Sequence, residues 1–320
     1  MPNKYRSALR TALLTGLMGV MIGCTTPNAL TITATQKLVQ YKRHKANLER
    51  NSVTLASGDT ISYLEGGNKA GAPLLLIHGF GGNKDNFTPI APELVQYHLL
   101  IPDLLGFGDS SKPRQADYRA DAQARRLHAL LQATGMADAI HVGGNSMGGS
   151  IAVAYAALYP KTTRSLWLLD SSGFWSAGLH KAFERATLDN NPLLIDSKEA
   201  YFSLYDRVMY HPPYLPKTMQ AVFAQDSIAN RDLHSQILAQ IVTDNIESRA
   251  ATVAQYEIPT LIVWGEKDNI LKPETGQLMH TLMPQATLIM MPEVGHVPMV
   301  EAVEQTAHDY NAFRDSIEAR

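Results

Sequence analysis

Residues 140–157, IHVGGNSMGGSIAVAYAA, pass from a short apolar run of β character through Gly144-Asn145-Ser146-Met147-Gly148 into an Ala-rich run of helical character. A strand, a tight Gly-x-Ser-x-Gly turn and a helix, in that order, hold the central serine in a strained backbone conformation. A side chain at either flanking position would meet the neighbouring strand or helix, and the two glycines remove that crowding. The turn aims the Ser146 hydroxyl over the sheet edge, where the N–H groups of the following helix also point. A hydroxyl so placed can become a nucleophile. A glycine-rich turn that merely contains serine would show the same five residues, so the rest of the chain must decide.

The body of the chain alternates β-like and helix-like segments. Residues 52–56 and 60–65 flank Ser57-Gly58-Asp59, a hairpin signature. Runs 74–78, 99–102, 140–144, 165–170, 260–265 and 287–291 are short, apolar and bounded by turn residues, the pattern of buried parallel strands. The spacing predicts a helix over 121–135, with Leu127, Leu130, Leu131 and Thr134 on one face and Gly135 as its stop. Together these segments predict an α/β fold with a mostly parallel eight-stranded sheet covered on both faces by helices. About ninety residues separate Asp170 from Thr260, too many for an ordinary connection, and predict an inserted helical cap. Within it, residues 201–223 carry aromatics, Met209, Met219 and a His211-Pro212-Pro213 break; such side chains could line an acyl pocket or form ordinary core.

Composition suits a large globular unit: 320 residues, 45% hydrophobic and 18% charged. The formal net charge of -2 comes with no basic stripe, which argues against a nucleic-acid partner. At the N-terminus, Lys4, Arg6 and Arg10 precede an apolar run over 12–22 that is too short to span a bilayer and reads as a secretory signal. Met21-Ile22-Gly23-Cys24 closes it and resembles a bacterial lipobox, with Met where Leu is commoner. The only cysteine of the chain, Cys24, would then be acylated and become the first mature residue, and no intrachain disulfide is available. A plain secretory peptide cut near Gly23 is the alternative. Thr25 rather than Asp after the cysteine resembles the outer-membrane default of Gram-negative lipoproteins. Residues 25–36 read as a polar tether. Residues 37–50 hold Lys37, Lys42, Arg43, Lys45 and Arg50 against Glu49, and suit either a solvated helix or one resting on anionic headgroups. The expected organisation is a signal peptide over 1–23, a tether and basic segment over 24–50, core over 51–170, cap over 171–254 and core over 255–320.

Four motifs carry a family resemblance: HGFGGNKDNF at 78–87, GNSMGG at 144–149, WGEKD at 264–268 and VGH at 294–296. They resemble the lipolytic α/β-hydrolases of Gram-negative bacteria called family V lipases, from about Ser52 to the C-terminus. The resemblance implies the α/β-hydrolase fold and lipid ester substrates. In such enzymes the loop after the strand at 74–78 supplies one backbone N–H of the oxyanion hole and the residue after the nucleophile the other, which designates Phe80 and Met147. His78, at the strand end, is expected to order that loop rather than act as base. The base is expected late in the chain, and His296 alone joins a late position, a preceding glycine and a post-strand loop. Asp268 follows its strand with the spacing expected of the acid, with Asp170, at the end of the preceding strand, as competitor. Glu266 and Asp103 are expected to be structural, Asp103 opening a loop over 103–110 that shapes the pocket floor. The implied chemistry is ester hydrolysis through an acyl-enzyme, requiring no cofactor and no metal. Ser146 disfavours epoxide and haloalkane hydrolases, which place Asp there, and export disfavours carbon-carbon bond hydrolases of cytoplasmic metabolites. A short-chain carboxylesterase and a non-catalytic envelope lipoprotein that uses the fold for binding remain as alternatives. No protein partner is implied; the membrane would be reached through Cys24.

Overall fold

The computed structural model describes residues 27–178, 186–188 and 190–319, so the expectations for the signal segment and Cys24 lie outside the described residues. Among the described residues one sheet contains β1 (Leu48–Thr54), β2 (Thr60–Gly67), β3 (Pro73–Ile77), β4 (His98–Pro102), β5 (Ile140–Asn145), β6 (Thr163–Leu169), β7 (Thr260–Gly265) and β8 (Thr287–Met291). Their order is β1-β2-β4-β3-β5-β6-β7-β8; β1 and β2 are antiparallel and β3 to β8 run parallel. The helices are α1 (Ala29–Lys45), α2 (Ala120–Thr134), α3 (Met147–Leu158), α4 (Lys198–Val208), α5 (Lys217–Ala229), α6 (Arg231–Ile241), α7 (Glu247–Gln255), α8 (Glu274–Leu282), α9 (Pro298–Glu301) and α10 (Val303–Glu318).

Strand periodicity splits the core in two. Leu75, Ile77, Val142, Leu166, Leu168 and Ile262 face α2, α3, α7 and α8, while Leu74, Leu76, Trp167, Leu169, Leu261 and Val263 face α9 and α10. Because both faces are covered, the central strands are apolar at nearly every position, which is why they read as runs rather than as alternation. Gly135 stops α2 at φ 72, a left-handed conformation that glycine adopts without steric cost.

The segment between β6 and β7 carries α4 to α7. Helix α7 packs against α3 and α8 on the sheet, whereas α4 and α5 pack on one another and α5 on α1. Residues 29–36 differ from the predicted polar tether: they are the first half of α1. The Asn28 side chain caps it by accepting the Thr31 N–H at 2.9 Å, and Thr33 and Thr35 turn their hydroxyls back to carbonyls one turn earlier. Thr35 is buried and Arg43 makes a two-pronged ion pair with Asp85 at 2.7 and 2.6 Å. Tertiary contacts outweigh the weak helix preference of a Thr-rich stretch. The helix predicted to begin at Lys37 ends at Lys45, and 48–50 already belong to β1.

Candidate active site

Ser146 closes β5 and opens α3 with φ 54 and ψ -119, a sparsely populated backbone state for a residue with a side chain. A Cβ on Gly144 would lie 2.2 Å from the Gly148 carbonyl oxygen, and one on Gly148 would lie 2.1 Å from the Ile77 carbonyl oxygen. Strand, turn and helix are therefore pressed together as closely as backbone allows, and that contact maintains the strain. Ser146 itself donates its N–H to Leu169 O at 3.0 Å and accepts from Gly149, Ser150 and Ser172.

His296 follows β8 and is buried, with 5% of its surface exposed. Its Nδ1 lies 2.8 Å from Asp268 Oδ2, on the loop after β7. Asp268 Oδ1 accepts the N–H groups of Ile270 and Leu271 at 2.7 and 3.1 Å, so this carboxylate meets three donors. With Nδ1–H spent on Asp268, the Nε2 lone pair remains free to accept a proton. Asn145, beside the serine, donates its amide to His296 O at 2.9 Å and to Leu169 O at 3.1 Å, tying the end of β5 to the histidine loop. The end of α4 holds the same loop through His296 N–H to Val208 O at 2.8 Å.

Sequence reasoning did not single out Asn145, because its two partners lie 24 and 151 residues away. Asn145→Ala leaves the His296 carbonyl without its donor, while Leu169 O keeps the Ser146 N–H, an expected loss of about 1–3 kcal/mol for the group left unsatisfied. Urea unfolding measures the stability part, and a drop in kcat with little change in KM reports the loosened histidine loop.

Asp170 and Asp268 both reach the histidine: one polar atom from each of the three lies within 4.8 Å of the others. Asp268 makes the bond to the imidazole. Such a trio is also a donor set for a cation, but two ligands on a zinc-sized ion stand roughly 3.3 Å apart at ordinary bond lengths. The 2.8 Å contact is an N–H···O hydrogen bond.

Met147 begins α3, where the first N–H groups have no acceptor inside the helix. Phe80 lies in the turn closed by Gly82 N–H to Gly79 O at 3.1 Å, and its own N–H meets no backbone acceptor among the described residues. Both residues and Ser146 line a cavity of about 380 Å³. The Phe80 ring is fixed edge-on by Phe107 and His234, with centroids 5.7 and 5.8 Å away. His78 donates from Nδ1 to Gly79 O at 2.7 Å and accepts the Leu104 N–H on Nε2 at 3.0 Å, so both ring nitrogens are occupied with loop backbone. Burial also pushes its pKa down, which keeps it neutral.

One expectation about the pocket is corrected, and one open alternative is narrowed. None of residues 103–110 lines the cavity; Asp103 instead organises the loop behind it. Lys84, 1% exposed, donates from Nζ to Asp103 and Asp109 at 2.6 and 2.7 Å, while its N–H reaches Asp103 at 2.7 Å. Lys84→Met keeps the bulk but strands the buried Asp103 charge, and should cost about 3–5 kcal/mol by urea unfolding. Secondly, residues 201–223 do not line the cavity. Its apolar wall comes from Trp175, Leu188, Leu193, Leu238, Ile241 and Leu271, while Tyr201, Leu215 and Phe223 line a separate cleft of about 700 Å³ between α1, α5 and the loop over 81–86. The larger cleft is edged by Arg43, Lys84, Asp85 and Asp109, and Ser146 does not reach it.

A serine at a strained strand-to-helix turn, set with Phe80 and Met147 on one apolar cavity, and an imidazole fastened to a buried carboxylate on the loop that Asn145 ties to that turn make up a candidate serine hydrolase site on a parallel sheet. The chain belongs to the alpha/beta hydrolase fold family, whose model matches residues 72–303. It is 64% identical to Lipase 1 of Psychrobacter immobilis over 301 residues, covering 94% of this chain and 95% of that one. It is also 64% identical to Lipase 3 of Moraxella sp. (strain TA144) over 298 residues, covering 93% and 95%. The crystal structure of a membrane phospholipase A described as a bacterial virulence factor superposes with a TM-score of 0.86 at 35% identity, covering 98% and 97%.

Proposed function

We propose that this protein is a serine ester hydrolase that cleaves acylglycerols or related lipid esters through an acyl-enzyme on Ser146. One observation carries the reading: Ser146 opens into an apolar cavity while the neighbouring Asn145 holds the loop of a buried, Asp268-bonded histidine. His296 Nε2 takes the Ser146 proton as Oγ attacks the ester carbonyl. The N–H groups of Phe80 and Met147 receive the oxyanion. The proton then passes from His296 to the leaving alcohol, and water deprotonated by the same nitrogen releases the acid. Relatives named lipases at 64% identity and a fold neighbour named phospholipase A support a lipid ester as substrate. So does the lining of leucine, isoleucine and tryptophan, which suits an acyl chain rather than a charged group. The test is a chain-length series of p-nitrophenyl esters, from acetate to palmitate, with the purified protein. Turnover that rises once the acyl chain can fill the cavity supports the reading; hydrolysis of none of them overturns it.

The chain is further read as a lipoprotein of the cell envelope held to the membrane through acylated Cys24, the outer membrane being favoured by Thr25. Several acyl chains give stable attachment where one does not. Cys24→Ser should move the protein from the membrane to the soluble fraction, and a variant that stays membrane-bound refutes the anchor.

A further inference from the structure

Asp170 is the first residue after β6 and has φ 44, a left-handed conformation that few non-glycine residues adopt. Its side chain is fully buried. Oδ1 accepts the Gly265 N–H at 2.9 Å, and Oδ2 is buried with no donor facing it. The group beside it is Asp268, and a ring nitrogen of His296 also lies within 4.8 Å of an oxygen of each carboxylate. A strained residue has thus been placed where its free oxygen meets the acid of the site, and no donor in the surroundings explains that oxygen.

Two carboxyl groups this close and this buried cannot both be ionised, because like charge and lost hydration both oppose it. The count of donors says which one keeps the proton. Asp268 receives three hydrogen bonds, from His296, Ile270 and Leu271, and each favours its charged form. Asp170 receives one. Burial first and then the Asp268 charge push the Asp170 pKa well above the ordinary carboxyl range, Glu301 adds in the same direction, and the Gly265 N–H opposes them. Glu301 comes from α9, where it also accepts the Gly295 N–H at 2.9 Å.

We propose that Asp170 is a protonated positioning residue whose Oδ2–H is shared with Asp268, steadying that carboxylate against His296, and that it becomes the histidine's acid partner when Asp268 is removed. The proposal rests on the hydrolase reading of the site. Its tests are therefore chosen to include one that needs no turnover. In Asp170→Asn the amide oxygen accepts from Gly265 and the amide nitrogen donates to Asp268, so geometry and charge are both retained. The His296 ring pKa, read from its imidazole signals by NMR in the absence of substrate, should stay within about 0.3 unit of the parent protein. Were Asp170 ionised, the substitution would remove a negative charge beside the imidazole and lower that pKa by about one unit or more, which overturns the proposal.

The second test is kinetic. Asp268→Ala frees Asp170 of its like-charged neighbour, so Asp170 ionises and accepts the His296 Nδ1–H. Residual ester hydrolysis by Asp268→Ala should exceed that of the double variant Asp170→Asn with Asp268→Ala by about tenfold or more, since the double variant has no carboxylate to offer. Equal rates in the two variants overturn the stand-in role. If the double variant does not fold, as judged by circular dichroism, the NMR titration of Asp170→Asn still decides the protonation state. An inactive parent protein would instead sink the hydrolase reading, leaving the NMR result to stand by itself.

Discussion

Ser146→Ala lowers kcat on a p-nitrophenyl ester by roughly 10⁶-fold, the size of effect expected when the nucleophile of an intact constellation is deleted. The loss is chemical rather than structural. The turn is held through the Ser146 backbone, which bonds to Leu169, Gly149, Ser150 and Ser172, and none of those bonds uses the hydroxyl. Alanine has the same Cβ, so it neither relieves the strain at φ 54 nor adds a clash. Stability by urea unfolding should therefore stay within about 0.5 kcal/mol of the parent. Only Oγ has gone, and with it the atom that becomes the acyl ester. A variant retaining a tenth of the parent rate would place the nucleophile elsewhere.

What could be read from the chain beforehand follows from the range of the forces involved. The central parallel strands were legible because double burial makes each an apolar run, as at Leu74, Leu75 and Leu76, with turn residues at its ends, and the β1–β2 pair, exposed along much of β1, was legible through the turn at Ser57-Gly58-Asp59. The serine turn was legible as a five-residue pattern, in which Gly144 is imposed by the Gly148 backbone four residues on and Gly148 by the Ile77 carbonyl of the neighbouring strand. His296 could be singled out by its loop position and by the chain order of the hydrolase pattern. Features set by distant partners were not legible. Helix α1 looks polar along its Thr-rich start, and it forms where Thr35 is buried and Arg43 meets Asp85, 42 residues on. The cavity wall combines residues near 175–193 with residues near 238–242 and 270–271, and no local period announces that meeting. Asp170 and Asp268 each looked like a possible acid, and the sequence could not say that they share one cavity with unequal numbers of donors.

Asp268→Asn lowers kcat by about 10⁴-fold although the replacement is nearly isosteric, because the amide imposes the wrong tautomer on the histidine. The site fixes which way that amide must face. The Oδ1 position takes the N–H groups of Ile270 and Leu271 at 2.7 and 3.1 Å, so it requires an acceptor, and asparagine has one oxygen to give. Its NH₂ group must then occupy the Oδ2 position, 2.8 Å from His296 Nδ1. Facing a donor, Nδ1 keeps its lone pair and the ring proton moves to Nε2. A protonated Nε2 cannot accept the Ser146 proton, so the base is lost while every heavy atom stays near its place. Turning the amide over would restore the tautomer but set NH₂ against two backbone donors in a buried pocket, at a cost of roughly 1–3 kcal/mol for each group left unpaired. Raising the pH should recover little activity, since the defect lies in where the proton sits rather than in how many are bound. The kcat of the variant across pH checks this. A rate that climbs back towards that of the parent in alkali, or one within tenfold of it at neutral pH, would show that His296 does not depend on Asp268 for its orientation.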